Sequence, residues 1–288
     1  MIPAAFEYIR PTTLDEAVRA LVSHGEEAKL LAGGDSLLPL MKLRLARPKV
    51  LIDLSGVDGL RGTRETGGEI IIGALTTHYE IESSDLLKAK CSLLSQTASA
   101  VGDVQVRNRG TIGGSLAFAN PAADPPAAIL SVGAELRLTG PGGERSVKAE
   151  DFFLGPMTTA LNPSEILTEI RVPVLPKRSG TAYLKMPQKA SGFAIVGVAV
   201  WMQVEGGLCI NLGVGITGLG AQPFHAVKVE NALRGQRLDP ALIEVASSKV
   251  TEGVDPLDDI YASAEFRAHL ASVYTARAIQ EAAKKPEV

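Results

Sequence analysis

Apolar residues occur along this chain in two patterns, a helical period and short continuous runs, and each pattern predicts one type of element. Over residues 12–24 the apolar positions follow the helical period, and Thr12 or Thr13 can cap the helix. Short apolar runs bounded by turn residues are typical of strands. Before residue 174, such runs predict strands at 28–31, 50–54, 69–73, 135–139 and 165–172.

Further helices are predicted over residues 92–101 and 127–132, and Pro125 and Pro126 suit the first turn of the second of them. Segment 174–180 is rich in proline, lysine and glycine, so we place a domain boundary there. Beyond it lie strand-like runs at 182–186, 194–203 and 208–215, followed by helical runs that include 240–250 and 264–283.

Composition excludes several classes of protein. The 288 residues are 45% hydrophobic, which is ordinary for a folded globular chain. The net charge is −3 and aromatic residues make up 5%, so neither a basic surface nor a base-stacking platform for nucleic acid is expected. The N-terminus has no secretory signal pattern, and the apolar run 193–202 is too short to span a membrane.

Cysteine and histidine are too sparse for a metal centre. Two distant cysteines cannot hold an iron–sulfur cluster, and they fit a reducing cytoplasm. The four histidines share no ligand spacing, so no metal site is predicted. The residues concerned are Cys91, Cys209, His24, His78, His225 and His269.

Two glycine-rich segments carry the most specific chemistry. Each pairs glycines with a small hydroxyl side chain, which lets successive backbone N–H groups point into one concavity that binds phosphate. Two such loops could clamp the two phosphates of a dinucleotide, and the alternative is that both are tight turns. The first loop is Ala32, Gly33, Gly34, Asp35 and Ser36, and the second is Thr111, Ile112, Gly113, Gly114 and Ser115.

A third glycine pattern, Gly213 to Gly218, matches GxGxxG and suggests a stand-alone NAD(P)-dependent dehydrogenase. Its context argues against that hypothesis, because a dinucleotide fingerprint opens a helix in the first βαβ unit. Turns and bulges in a small sheet are the alternative. Lys42, Arg44 and Arg47 form a basic stripe that is either a solvated face or a docking edge.

No catalytic side chain is predicted. The sequence contains no GxSxG, HExxH or Ser-x-x-Lys motif. This absence suits a chain whose chemistry resides in a bound cofactor. A non-catalytic scaffold, in which every glycine serves a turn, remains the alternative.

At the two loops the sequence resembles the medium, FAD-binding subunit of the molybdenum hydroxylases, the carbon monoxide dehydrogenase and xanthine dehydrogenase type. The resemblance covers nearly the whole chain. It is carried by LAGGDSLLPLMKLRL, VLIDLSGV, IGALTT, QVRNRGTIGGSLAFANPAADPP and EILTEIRVP.

The resemblance implies an α+β fold. A PCMH-type FAD-binding domain over residues 1–176 would consist of two α/β subdomains, 1–56 and 57–176, with FAD between them. A C-terminal domain over residues 177–288 would have a three-stranded antiparallel sheet packed on a helical bundle.

The resemblance also implies which residues bind FAD. Both glycine loops would hold the pyrophosphate, and Asp124 and Lys185 would lie at the cofactor. Leu167 would pack on the flavin, and Leu37 and Ala117 would lie close to the loops. Two departures stand out: many relatives have an acid at Asn120, and some have a tyrosine near Phe193.

The implied function is electron transfer in an oxidoreductase complex. A large subunit with a molybdenum cofactor would oxidise the substrate, for which carbon monoxide, an N-heteroaromatic compound and an aldehyde are candidates. A small subunit with [2Fe–2S] clusters would pass electrons to FAD in this chain, and FAD would reduce an external acceptor. The expected assembly is a cytoplasmic dimer of heterotrimers, a heterohexamer.

Overall fold

A computed structural model describes residues 1–284 of the chain. The N-terminal region is a small parallel sheet in the order β1-β3-β2, with one helix packed on it. Thr13 and Glu16 form a reciprocal capping box at the start of that helix, which fixes where it begins. The elements are β1 (Glu7–Ile9), α1 (Leu14–His24), β2 (Ala28–Leu31), α2 (Leu37–Lys42) and β3 (Val50–Asp53).

The middle region is a five-stranded antiparallel sheet in the order β4-β5-β10-β6-β7, covered by short helices. Its elements are β4 (Thr63–Thr66), β5 (Glu69–Gly73), α3 (His78–Ser83), α4 (Asp85–Lys90), α5 (Ser92–Ser99), α6 (Val104–Arg109), α7 (Ile112–Phe118), α8 (Pro125–Ser131), β6 (Glu135–Gly140), β7 (Gly143–Lys148), α9 (Ala149–Phe152), β8 (Phe153–Gly155), β9 (Thr158–Thr159) and β10 (Ile166–Pro173). Strands β8 and β9 pair only with each other among the described residues.

The C-terminal region is an antiparallel sheet in the order β11-β12-β13-β14, and three helices pack on it around one apolar core. The elements are β11 (Ser179–Pro187), β12 (Ala194–Glu205), β13 (Leu208–Thr217), β14 (Phe224–His225), α10 (Val227–Leu233), α11 (Pro240–Ser248) and α12 (Ala264–Lys284). Single turns of 3-10 helix lie at Gly25–Glu27, Leu54–Gly56 and Lys249–Thr251.

The expected α+β fold is confirmed, with one difference in the C-terminal sheet. Three strands were expected there, and a fourth of two residues, β14, pairs with the end of β13. Two residues are too few to show an alternating pattern. Strand β11 begins at Ser179, inside the segment predicted as a linker.

Helix α8 joins the middle and C-terminal regions. Every residue from Pro125 to Ser131 is buried. The Ser131 hydroxyl donates to the Gly213 carbonyl at 2.9 Å, and the Trp201 indole N–H donates to the Ser131 carbonyl at 2.7 Å. The helix therefore lies directly on the backbone of β12 and β13.

The glycines of the GxGxxG pattern permit this contact. A β-carbon at Gly213 would lie 2.0 Å from the Ser131 carbonyl oxygen, and one at Gly215 would lie 1.9 Å from that of Ala127. Both glycines lie inside strand β13, which no helix follows directly. The pattern is a packing surface and not a dinucleotide fingerprint, so the NAD(P) hypothesis loses its structural basis.

Candidate functional site

The first glycine loop connects the end of β2 to α2. In the part of the chain that the structure describes, the backbone N–H groups of Gly33, Gly34, Asp35 and Ser36 donate to no protein acceptor. Gly34 has φ +89°, a conformation that glycine adopts without strain. Consecutive free N–H groups of this kind form a concave donor set that suits an anion.

The first loop rests on the segment that leads into the second. A β-carbon at Gly33 would lie 2.1 Å from the Arg109 carbonyl oxygen, so only glycine permits this approach. Across the gap between the two loops, the β-carbon position of Gly114 lies 3.5 Å from Ala32 Cβ. Both predicted loops therefore lie side by side, although the first belongs to the N-terminal region and the second to the middle region.

The second loop differs from the expectation of a matching nest, because it is the first turn of helix α7. Thr111 caps the helix, and its hydroxyl oxygen accepts from Gly114 N at 3.1 Å. Ile112 N and Gly113 N donate to the carbonyls of Thr76 and Ala74, at 3.0 and 2.9 Å. These N–H groups hold the helix in place, and the free backbone donors belong to the first loop.

Asp35 gives the gap between the loops a carboxylate. Burial raises its pKa, the Arg109 guanidinium opposes that rise, and Asp103 adds to it. One Asp35 carboxylate oxygen lies 3.0 Å from the β-carbon position of Gly110, the residue that precedes the second loop. A carboxylate accepts hydrogen bonds from hydroxyl groups and repels phosphate, so Asp35 suits a sugar or ribityl hydroxyl.

Asp124 and Lys185 were predicted at the site from different regions of the chain, and the structure brings them together. The Lys185 ammonium lies 2.8 Å from Asp124 Oδ2, and the other carboxylate oxygen accepts from the Tyr183 hydroxyl. Burial raises the pKa of Asp124 against the opposing effects of Lys185 and Tyr183, and it raises the pKa of Tyr183 well above its ordinary value. Tyr183 carries no signal in the sequence, and it lies two residues before Lys185 on the same face of β11.

The other predicted residues lie around the loops. Leu167 is buried on β10. The carbonyl of the next residue, Thr168, accepts a hydrogen bond from Ala74 N, and the carbonyl of Ala74 accepts one from Gly113 N. Strand β10 therefore lies next to the start of α7. Ala117 is exposed on α7, and Leu37 is half-buried at the start of α2.

Both departures from the family pattern have clear positions. Asn120 Oδ1 accepts from Ala122 N at 2.9 Å and so shapes the segment that leads to Asp124. Phe193 is 44% exposed at the end of a turn between β11 and β12. The basic stripe Lys42, Arg44 and Arg47 is exposed at the end of α2, and Arg44 Nε donates to the Ile2 carbonyl at 3.4 Å.

Residues 1–284 contain no cluster of three or more metal-ligating side chains. Within the same residues, no helix is both long and apolar enough to cross a membrane.

Comparisons with known proteins agree over nearly the whole chain. The family model of the FAD binding domain in molybdopterin dehydrogenase matches residues 4–175, and that of the CO dehydrogenase flavoprotein C-terminal domain matches residues 181–282. The carbon monoxide dehydrogenase medium chain of Afipia carboxidovorans is 39% identical over 282 residues, 98% of each chain.

Solved structures also match this chain over nearly its whole length. Carbon monoxide dehydrogenase from Hydrogenophaga pseudoflava superposes with a TM-score of 0.97 at 39% identity, covering 99% of this chain and 100% of that one. Quinoline 2-oxidoreductase from Pseudomonas putida 86 superposes with a TM-score of 0.93 at 31% identity, covering 99% of each chain.

The fold and the paired loops define a cofactor-binding subunit of an oxidoreductase. More particularly, this chain belongs to the molybdenum hydroxylase flavoproteins, as an FAD-binding medium chain of the carbon monoxide dehydrogenase type. The NAD(P) dehydrogenase and scaffold hypotheses are therefore both replaced.

Proposed function

We propose that this chain holds FAD between its two glycine loops and carries electrons from partner subunits to an external acceptor. The observation that supports the proposal best is the run of free N–H groups from Gly33 to Ser36 beside the start of α7. Such a donor set fits the pyrophosphate of FAD, and the nearby Asp35 carboxylate fits a hydroxyl of the cofactor.

The residues of this chain have distinct roles in the proposal. The first loop binds the phosphates through its backbone, while Thr111 to Ser115 line the opposite side, where Gly114 leaves room and Ser115 offers a hydroxyl. Leu37, Ala117 and Leu167 shape the walls, and Lys185 holds a positive charge near the flavin, paired with Asp124. The site residues bind and orient, and bound FAD supplies the redox chemistry.

In the complex, a small subunit with [2Fe–2S] clusters delivers electrons one at a time, and the external acceptor takes up two electrons. Oxidation of the substrate belongs to the molybdenum centre of the large subunit, which therefore selects among carbon monoxide, N-heteroaromatic and aldehyde substrates. The proposed assembly is a dimer of heterotrimers in the cytoplasm. No residue of this chain is assigned a step in the oxidation of that substrate.

The test is native purification followed by a visible spectrum, identification of acid-released cofactors and a denaturing gel. Released FAD together with one smaller and one larger co-purifying chain is expected. Failure to bind FAD, after incubation of the apoprotein with FAD, would overturn the proposal. Release of NAD(P) in place of FAD would restore the dehydrogenase hypothesis.

A variant makes the binding test specific to the gap between the loops. A β-carbon at Gly114 would enter this gap and lie 2.8 Å from Thr111 Oγ1, so Gly114→Ala should lower FAD content severalfold. Gly142→Ala is the matched control, because a β-carbon there meets nothing within 4 Å. Equal FAD content in the two variants would contradict the assignment of the loop.

A further inference from the structure

A buried network ties the C-terminal sheet to the segment after α7. The Tyr183 hydroxyl donates to Asp124 Oδ1, and the Lys185 ammonium donates to Oδ2 at 2.8 Å. Only 3% of Asp124, 9% of Tyr183 and 9% of the Lys185 side chain are exposed. Because each carboxylate oxygen has its own protein donor, the plane of the Asp124 carboxylate is fixed.

Lys185 makes a second hydrogen bond that leads out of this network. Its ammonium donates to the Gly192 carbonyl at 2.6 Å. Gly192 lies in the turn formed by residues 188–193, which we call the 188–193 turn. Gly192 N donates to the Gln188 carbonyl, and Gln188 N donates to that of Phe193, both at 2.8 Å. Lys185 thus connects the buried carboxylate to an otherwise exposed turn.

The 188–193 turn reaches across to the middle region. A β-carbon at Gly192 would lie 3.3 Å from Gly102 Cα, so the two backbones are in close contact. Gly102 immediately precedes Asp103, which caps helix α6. The last residue of that helix, Arg109, carries the carbonyl against which Gly33 packs. Contacts therefore run from the turn, along α6, to the first glycine loop.

The Tyr183 hydroxyl has little freedom of position. Residue Gly197 lies on the neighbouring strand β12, opposite Lys185 in register. A β-carbon at Gly197 would lie 2.6 Å from the Tyr183 hydroxyl oxygen, so the hydroxyl occupies the space that glycine leaves. A hydroxyl held in this way presents one fixed donor to Asp124.

We infer that Tyr183 is a positioning residue for the FAD site. By occupying Oδ1 of Asp124, its hydroxyl turns Oδ2 towards Lys185, and Lys185 then holds the 188–193 turn against Gly102. This inference rests on the proposed function, because the closed turn slows the escape of FAD. No direct contact between Tyr183 and the cofactor is involved.

The first test is Tyr183→Phe in the purified protein. Lys189 is an exposed residue of the 188–193 turn, so trypsin cleavage after Lys189, followed by mass spectrometry, reports opening of the turn without any need for activity. At least tenfold faster cleavage and at least fivefold faster FAD dissociation are expected. Tyr274→Phe is the matched control, since its hydroxyl contacts the Met186 sulfur at 3.6 Å, outside this network, and it should behave as wild type.

A double-variant comparison separates positioning from simple core packing. If Tyr183 acts through Lys185, Tyr183→Phe should add nothing to the faster FAD release of Lys185→Met. Multiplying effects would overturn the inference, as would wild-type cleavage in Tyr183→Phe. If Tyr183→Phe fails to fold, Asp124→Asn keeps the volume and should show the same faster cleavage. An absence of FAD in the wild-type protein would instead contradict the proposed function, and the cleavage result would still test the turn.

Discussion

The Arg109 carbonyl oxygen lies where a side chain at Gly33 would begin, 2.1 Å from the β-carbon position. Gly33 follows a parallel strand of the N-terminal region, and Arg109 ends a helix of the middle region. The contact between them sets the spacing of the two loops, so the geometry of the cofactor site depends on one missing methyl group.

Gly33→Ala should therefore abolish most FAD binding. The added carbon forces the first loop away from Arg109, because backbone atoms on both sides cannot yield as a flexible side chain could. We expect FAD per chain to fall at least tenfold, measured by absorbance after acid release. Gly142→Ala, at an open position, should retain wild-type content. Normal FAD content in Gly33→Ala would show that the loops can separate without losing the site.

Gly215→Ala should destabilise the whole chain. Its β-carbon would lie 1.9 Å from the Ala127 carbonyl oxygen and push α8 off the sheet. Overpacking of this kind costs about 1–3 kcal/mol, and for a chain of this size that lowers Tm by at least about 2–4 °C. Calorimetry checks the shift, with Gly155→Ala as the control. Unchanged Tm would mean that the helix–sheet contact is looser than described.

Acid should weaken the region under the second loop through His78. This side chain is 3% exposed, and burial, with a smaller effect of Arg107, lowers its pKa from 6.5 to about 4. The unfolded chain therefore binds a proton that the folded chain excludes, so stability falls as pH drops from 6.5 towards 4. In His78→Asn, the slope of Tm against pH in this range should be shallower. Parallel slopes for the two proteins would count against burial of neutral His78.

Asn120→Asp should keep FAD binding within about threefold of wild type. This segment is shaped by the hydrogen bond that Ala122 N donates to Asn120 Oδ1, and a carboxylate oxygen accepts such a bond equally well. Asn120→Ala lacks the acceptor and should bind FAD more weakly. Titration of the apoprotein with FAD measures both. A severe loss in Asn120→Asp would mean that the amide N–H₂ group is needed.

Elements marked by an apolar stripe or an apolar run were predictable, and several short helices of the middle region were not. The apolar stripe of helix α1 and a threonine cap at its start were predicted from the sequence, and β5 occupies the predicted residues 69–73. Helix α7 was expected only as a glycine turn, since two adjacent glycines oppose helix formation. Hydrogen bonds from Ile112 and Gly113 to the carbonyls of Thr76 and Ala74 stabilise it, and those contacts are tertiary.

Some residues of the candidate site were likewise predictable from the sequence, and others were not. The glycine loops are local signals, so their residues could be named from the sequence, and Lys185 and Asp124 came from the resemblance. Tyr183 could not be found, because its partner Asp124 is 59 positions away and only strand β11 brings them together. Nor could the sequence tell which loop keeps its backbone donors free.

Helix α8 belongs by sequence to the part of the chain before the linker and by packing to both parts. A chimera of two relatives joined near residue 176 would combine the helix of one parent with the glycine-lined strand β13 of the other. The better exchange unit is the pair, α8 together with β13, transferred with Trp201. Laboratory recombination in this family should therefore preserve parental pairs of helix and strand, even though a long stretch of chain separates them.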